Sequence, residues 1–422
     1  MSLGCPKNLV DSEYIREVLG QSGFEIVSDP AGADTVVVNT CAFLSSAVEE
    51  SVQTMLELLG EGREVVCAGC LVSRYGAELL AELPEVRLFA APGTYAGLAS
   101  ALRGGGGFLP ARFDGVVGRR FATTGPFAYV KVSEGCSNRC AYCLIPDIRG
   151  GLVSKPVGDV LSECRSLAEG GAKELVLVAQ DLGSYGFDLG RGVRLPSLLE
   201  EIASVPGVEW IRLMYLHPAT TTPAVVEAMV DIPQVVPYID LPIQHVSDKV
   251  LGAMGRKGGE AAVRKAFELL RTRAPQVWIR STVMVGHPGE GKKAFAELQD
   301  FISRGHVDHL GVFSYSPEEG TKSAALGRGP SRKVKEDRAS RIMEIQQQVS
   351  RARLGSLVGR TIRVLVEGYH PETELLLKGR AEFQAPEVDG HVIINEGDAP
   401  FGSFSEVEIT GAMEYDLVGR IV

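Results

Sequence analysis

The rhythm of apolar and polar positions changes three times along the chain. Over the first hundred residues short apolar runs alternate with helix-period segments. Residues 11–22 set Tyr14, Ile15, Val18 and Leu19 on one face, the spacing of a helix with Asp11 or Ser12 near its start. Residues 24–27 are a short strand candidate, and residues 35–39 (Thr-Val-Val-Val-Asn) a strand of the buried type. A second helix is predicted over 45–59, a strand over 64–67, a turn at Ala68-Gly69-Cys70 and a helix over 72–83. This alternation predicts an α/β fold whose first domain, residues 1–105, is a doubly wound parallel sheet. The run Arg103-Gly104-Gly105-Gly106-Gly107 ends it as a flexible linker, and residues 115–125 continue the loose composition.

A second domain, residues 122–354, repeats strand and helix on a longer scale. Strands are predicted over 127–132, 174–180, 210–216, 235–243, 277–285 and 309–313, and helices over 157–168, 196–205, 223–230, 258–271 and 292–303. Six βα units make an open version of the eightfold barrel, in which chemistry sits at the C-terminal ends of the strands. Residues 331–354 form a long helix rich in Arg, Lys and Gln, whose charge reads as a solvated face. In the last segment, residues 355–422, short alternating runs at 361–367, 375–380, 391–395, 405–410 and 417–422 predict a small antiparallel β-barrel.

Composition adds little to this picture. An apolar fraction of 45% and a charged fraction of 23% describe an ordinary globular protein. No run of eighteen apolar residues appears, so no membrane span is expected. The sequence opens on Ser2-Leu3-Gly4-Cys5 with neither a basic region nor an apolar signal core, and a cytoplasmic location is the expectation. Eight cysteines in a chain this large suit metal ligation in a reducing compartment better than a disulfide framework. The net charge of −10 argues against broad nucleic-acid binding and is compatible with a basic partner.

The cysteines change the picture most. Cys136, Cys140 and Cys143 form a C-x-x-x-C-x-x-C run directly after the first strand of the second domain. Zinc sites bring paired cysteines and redox dithiols a single C-x-x-C, whereas three thiolates on one loop suit an iron–sulfur cube with one iron free of protein ligand. Cys5, Cys41 and Cys70 each follow a strand-like segment of the first domain, where the doubly wound fold gathers ligands, and so would meet at one sheet edge. Cys67 lies inside an apolar strand and Cys164 inside a helix, and both read as core. Polar residues at the ends of the later barrel strands complete the candidates: Gln180-Asp181, His217, Gln244-His245 and the Gly286-His287-Pro288-Gly289-Glu290 turn. A histidine in such a place is as often a satisfied structural residue, and Arg280 with Glu290 also reads as a structural ion pair.

The cysteine loop, with Tyr142 just before its third cysteine, resembles the signature of the radical S-adenosylmethionine (SAM) enzymes. The whole chain resembles the methylthiotransferases, which join a three-cysteine cluster domain, a radical SAM barrel and a small C-terminal barrel called TRAM. Three stretches resemble the branch acting on an aspartate of small-subunit ribosomal protein twelve: Ser2 to Asp11, Ile239 to Asp248 and Ala385-Pro386-Glu387-Val388-Asp389-Gly390. The transfer-RNA branch has Gln-Met-Asn where this chain has Pro6-Lys7-Asn8. The resemblance implies two 4Fe-4S clusters, held by Cys136, Cys140 and Cys143 and by Cys5, Cys41 and Cys70. It also implies SAM contacts from Tyr142, Gln180, Asp181, Arg280 and Gly286, and an external electron donor of the flavodoxin or ferredoxin type. TRAM domains often bind RNA, but residues 356–422 hold five Lys and Arg against twelve Asp and Glu, a balance of −7. Neutralising phosphates requires the opposite sign, so a basic ribosomal protein is the expected partner.

Overall fold

The computed structural model describes residues 1–111 and 125–422, so all but the last of the loose residues 115–125 lie outside the described residues. The first sheet is parallel, with strands Thr35–Thr40, Glu64–Gly69, Leu88–Ala90 and Gly107–Leu109 in that spatial order. Its apolar runs are continuous because both faces are covered. Val36, Val38, Val65, Cys67 and Phe89 meet the helices Ser45–Gly60 and Cys70–Glu82. Val66, Ala68, Leu88 and Ala90 meet Pro6–Gln21 and Leu98–Arg103 on the other face. The first helix starts five residues ahead of the expected position because Pro6 has its φ preset for a first helical turn. Residues 24–27 are not a strand. They find no ladder to join and instead line a cavity of about 840 Å³ with Met1, Val36 and Val37.

The second sheet holds six parallel strands in the order His309–Ser314, Trp278–Val285, Val235–Asp240, Trp210–Leu213, Glu174–Val178 and Phe127–Lys131. This is the open barrel that the pattern predicts. Period-two alternation divides the side chains: Ala128, Val130, Leu175, Leu177 and Ile239 pack under the outer helices, while Tyr129, Val176, Trp210, Tyr238 and Trp278 face the concave side. The helix Arg332–Gly355 closes the open edge against His309–Ser314. Its charge run is not a wholly solvated face. Lys335, Arg338, Gln346 and Ser350 repeat at helical spacing on its buried side, where Lys335 Nζ donates to the Tyr315 carbonyl at 2.7 Å and Gln346 Nε2 to that of Asp308 at 3.0 Å.

The C-terminal residues form a closed five-stranded barrel: Thr361–His370, Thr373–Ala381, Val392–Glu396, Leu417–Ile421 and Phe404–Ala412. It is not purely antiparallel, since Val392–Glu396 pairs in parallel with Leu417–Ile421. The segment 382–389 leaves this barrel and plugs the concave floor of the six-stranded sheet. Phe383 stacks on Trp278 with ring centroids 4.2 Å apart, Tyr238 donates to Asp389 at 2.7 Å, and Tyr129 to Glu387 at 2.8 Å. Beside them Glu174, wholly buried, accepts Arg212 Nε and Arg380 Nη2 at 2.5 Å each, which joins the two barrels through one carboxylate. Replacing Glu174 with Gln leaves the buried guanidinium of Arg212 without its counter-charge and that of Arg380 with Glu367 alone. The expected outcome is a loss of about 3–5 kcal/mol, read as a lowered thermal-unfolding midpoint with the same cluster content as wild type.

Candidate active site between two cysteine triads

The first triad hangs from the end of Phe127–Lys131. A two-residue hairpin, Ser133–Glu134 against Val153–Ser154, pins the loop's base, and Cys136 N donates to the Gly150 carbonyl at 3.0 Å. Gly135 at φ +68° is required there, because a Cβ would stand 2.1 Å from the Gly151 oxygen. Farther along, Ala141 N donates to Met254 O and Ser323 N to Ala141 O, both at 2.7 Å, so the barrel rim clamps the loop on two sides. Cys143 Sγ accepts the Ile145 amide at 3.4 Å, and Arg256 Nη1 lies 3.8 Å from Cys140 Sγ and 3.5 Å from the Tyr142 hydroxyl. Burial pushes the Cys136 thiol up and that of Cys143 to about 12. These thiols therefore stay protonated until a metal displaces the proton.

The second triad forms at the C-terminal edge of the first sheet. Cys5 precedes helix Pro6–Gln21, Cys41 follows Thr35–Thr40, and Cys70 opens the helix after Glu64–Gly69. Two glycines allow the approach. At Gly4 (φ +95°) a Cβ would meet Cys41 Cβ at 2.8 Å, and at Gly69 (φ +95°) it would meet Asn39 Oδ1 at 2.3 Å. Asn8 is the hub: its Nδ2 donates to Leu3 O and Thr40 O at 2.9 Å, while its Oδ1 stands 3.9 Å from both Cys5 Sγ and Cys70 Sγ. Burial alone would raise the Cys5 thiol, but the charges of Lys7 and Arg149 and the amides of Asn8 and Lys7 outweigh it and hold the thiol below its usual range. Cys70 goes the other way, raised to about 11 by burial despite Arg149. Cys67 lies wholly inside the sheet, pushed to about 12, and Cys164 is buried in its helix, so both are core.

One buried ion cluster binds the triads together. Arg149, on the five-residue helix that follows Cys143, donates from Nε to Cys70 Sγ at 3.2 Å, from Nη2 to Asn8 Oδ1 at 2.6 Å and from Nη1 to Glu134 at 3.0 Å. The same Nη1 is 3.0 Å from Asp11, and Lys131 also binds Asp11 and Glu134. Nothing in spacing or periodicity distinguished Arg149 from Arg139, and Asn8 had stood out only as part of a motif. Each depends on which loops meet in space.

The strand-end candidates divide. Gln180 has both amide atoms buried with no partner among the described residues, beside Asp181, whose carboxylate accepts from Asn138 Nδ2, Ser184 Oγ and Thr220 Oγ1 at 2.8 Å each. His217 accepts the Ala219 amide at Nδ1, which leaves an Nε2–H buried and unpaired, and burial near Arg256 and Lys257 lowers it to about 3, so it stays neutral. His245 accepts two backbone amides at Nδ1, with Nε2 3.7 Å from Glu290. His287 is satisfied by Pro288 O and Ser323 Oγ and is structural. Gly286, at φ +78°, gives its amide to Glu290. Arg280 requires correction. It lies near the start of its strand, far from Gly286 at the other end, and binds Asp389 at 2.6 Å and the Val388 carbonyl at 3.0 Å in the barrel floor. Glu290 pairs not with Arg280 but with Arg338 at 3.0 Å.

Two sets of three thiols with no fourth, and orphaned buried amide and imidazole atoms between strand ends, are a donor set suited to iron–sulfur cubes and a polar organic ligand. No three His, Cys, Asp or Glu side chains among the described residues are gathered tightly enough for a single metal ion, and a cube spreads its thiolates over separate corners.

Comparison with known proteins follows the same division. Residues 1–91 match an uncharacterized protein family, UPF0004, residues 130–302 the radical SAM superfamily, and residues 358–422 the TRAM domain. Three relatives each carry the name ribosomal protein uS12 methylthiotransferase RimO. The protein from Anaeromyxobacter sp. (strain K) is 45% identical, covering 100% of this chain and 92% of the relative. That from Moorella thermoacetica is 44% identical with 100% and 98% covered, and that from Geobacter sulfurreducens 41% with 100% and 98%. Among solved structures, the radical SAM methyltransferase TsrM from Kitasatospora setae, with cobalamin and a [4Fe-4S] cluster bound, superposes with a TM-score of 0.55 at 15% identity, covering 72% of this chain and 71% of that one; it shares the fold. At such identity over its whole length, the chain belongs to the ribosomal protein uS12 methylthiotransferase (RimO) family of radical SAM transferases.

Proposed function

We infer that this protein inserts sulfur and a methyl group at the β-carbon of an aspartate of ribosomal protein uS12. The observation that carries the reading is the meeting of two cysteine triads across one buried ion cluster, each triad one ligand short of closing a cube. Cys136, Cys140 and Cys143 would hold one 4Fe-4S cluster, and Cys5, Cys41 and Cys70 the other. When bound, the first cluster and SAM supply radical chemistry at an unactivated carbon, and the second supplies sulfur. The chain's own residues do the rest. Gln180 would offer its unpartnered buried amide to SAM, with Asp181, Tyr142 and the Gly286 turn bordering the same place, and the clamped loop would keep the ligand oriented. Arg149, bonded to Cys70 Sγ, would help hold that sulfur as a ligand of the second cluster. The reductant is an external donor of the flavodoxin or ferredoxin type.

The acidic C-terminal barrel supports a basic protein as partner, since residues 356–422 carry a balance of −7. No helix among the described residues is long and apolar enough to cross a membrane.

The deciding experiment offers reconstituted protein, with reductant, SAM and sulfide, either uS12 or bulk transfer RNA, and looks by mass spectrometry for one added methylthio group. Gain on the aspartate supports the reading; gain on RNA replaces the substrate. Within the same assay, Cys140→Ala should abolish SAM cleavage, whereas Cys41→Ala should still cleave SAM and insert no sulfur. Arg149→Gln, which removes a donor from a ligating sulfur, should weaken retention of the second cluster by about 10- to 100-fold, measured as iron released to a chelator while the first cluster still cleaves SAM.

A further inference from the structure

Lys7 is a buried cation at the start of the first helix. It is 8% exposed, sits two residues after Cys5, and no carboxylate among the described residues lies within ion-pair distance of it. Its Nζ lies over the face of Tyr215, 3.4 Å from the ring centroid. A buried ammonium without a paired carboxylate is costly, and the face of one ring offsets only part of that cost. The ring itself is held in a strained backbone. Tyr215 has φ +62°, fixed because its amide donates to Asp240 at 3.1 Å and its carbonyl accepts from Leu182 at 2.9 Å.

The surroundings place Lys7 between the two halves of the site. Its helix begins at the edge that carries Cys5, Cys41 and Cys70, and Tyr215 follows the barrel strand Trp210–Leu213, two residues before His217. The anionic groups that face it are Cys5, Asp240 and Glu134. Asp240 accepts from Tyr215 N through one oxygen and has Arg280 3.9 Å from the other, and Glu134 is bound by Lys131 and Arg149. With Cys5 given to the second cluster, no carboxylate among the described residues pairs with Lys7.

We propose that Lys7 receives the side-chain carboxylate of the substrate aspartate and so holds its β-carbon between the two cysteine triads. This rests on the reading of the reaction given above. A carboxylate bound to a desolvated ammonium makes a strong charge-assisted hydrogen bond, and it is the one feature that separates aspartate from asparagine. Lys7 thereby selects the residue to be modified as well as placing it.

The test uses full-length holoenzyme as wild type, Lys7→Met and Lys7→Arg, with uS12 and with uS12 whose target aspartate is changed to asparagine. Lys7→Met should lower kcat/KM for the aspartate substrate by about 10- to 100-fold and lose the preference for aspartate over asparagine. In preparations matched for iron content, the KM for SAM and SAM cleavage without substrate should stay at wild-type values, and Lys7→Arg should recover part of the preference. The melting midpoint of Lys7→Met should not fall, because methionine removes the cost of burying an unpaired charge. Unchanged preference in Lys7→Met overturns the proposal. A KM that rises for SAM and not for uS12 also overturns it by assigning the lysine to the carboxylate of SAM. A wild-type enzyme that leaves uS12 unmodified would instead fail the underlying reading, which separates the two.

Discussion

Four charges with almost no access to water hold this protein's two halves in register. Arg149 and Lys131 face Asp11 and Glu134 where the first helix crosses the mouth of the barrel. Removing such a group from water is costly, and the pairing repays it only if every partner is in place. The cluster therefore tolerates one arrangement of the cysteine loop against the three-cysteine edge and opposes slippage between them. Burial alone would raise Glu134, but Arg149 and Lys131 hold its carboxyl down at about 2, so Glu134 stays ionised across the working range. A greasy interface of equal area would bind as tightly and specify less.

The parts of the fold that follow from local pattern were legible in the sequence. Both parallel sheets are announced by β-branched runs at regular spacing, and the cysteine loop by its spacing alone. The failures share one cause, which is that tertiary partners decide. Residues 24–27 alternate like a strand but have no free ladder beside them. The polar stripe of Arg332–Gly355 looks solvated until the backbone carbonyls of Tyr315, Val307 and Asp308 are seen to need its donors. Arg280 stands on a strand that does reach the site, yet at the wrong end of it.

The candidate site was readable only as far as its thiols. Cysteines declare themselves by type and spacing, because few other roles use three of them on one loop. Arg149, Asn8 and Asn138 are ordinary polar residues whose importance comes from loops far apart in sequence meeting at one place. The orphaned amide of Gln180 shows the reverse case, a residue marked by the strand-end rule and then found with no partner among the described residues.

The plug formed by residues 382–389 has a consequence in time as well as space. A chain emerges from the ribosome N-terminus first, and its domains tend to fold as they appear. Here the concave floor, with Trp278, Tyr238, Arg212 and Glu174, has no cover until the final stretch of the chain has been made. The barrel is thus finished last and from below, and a nascent chain stalled before Phe383 would carry a bare aromatic floor of the kind that holdase chaperones recognise.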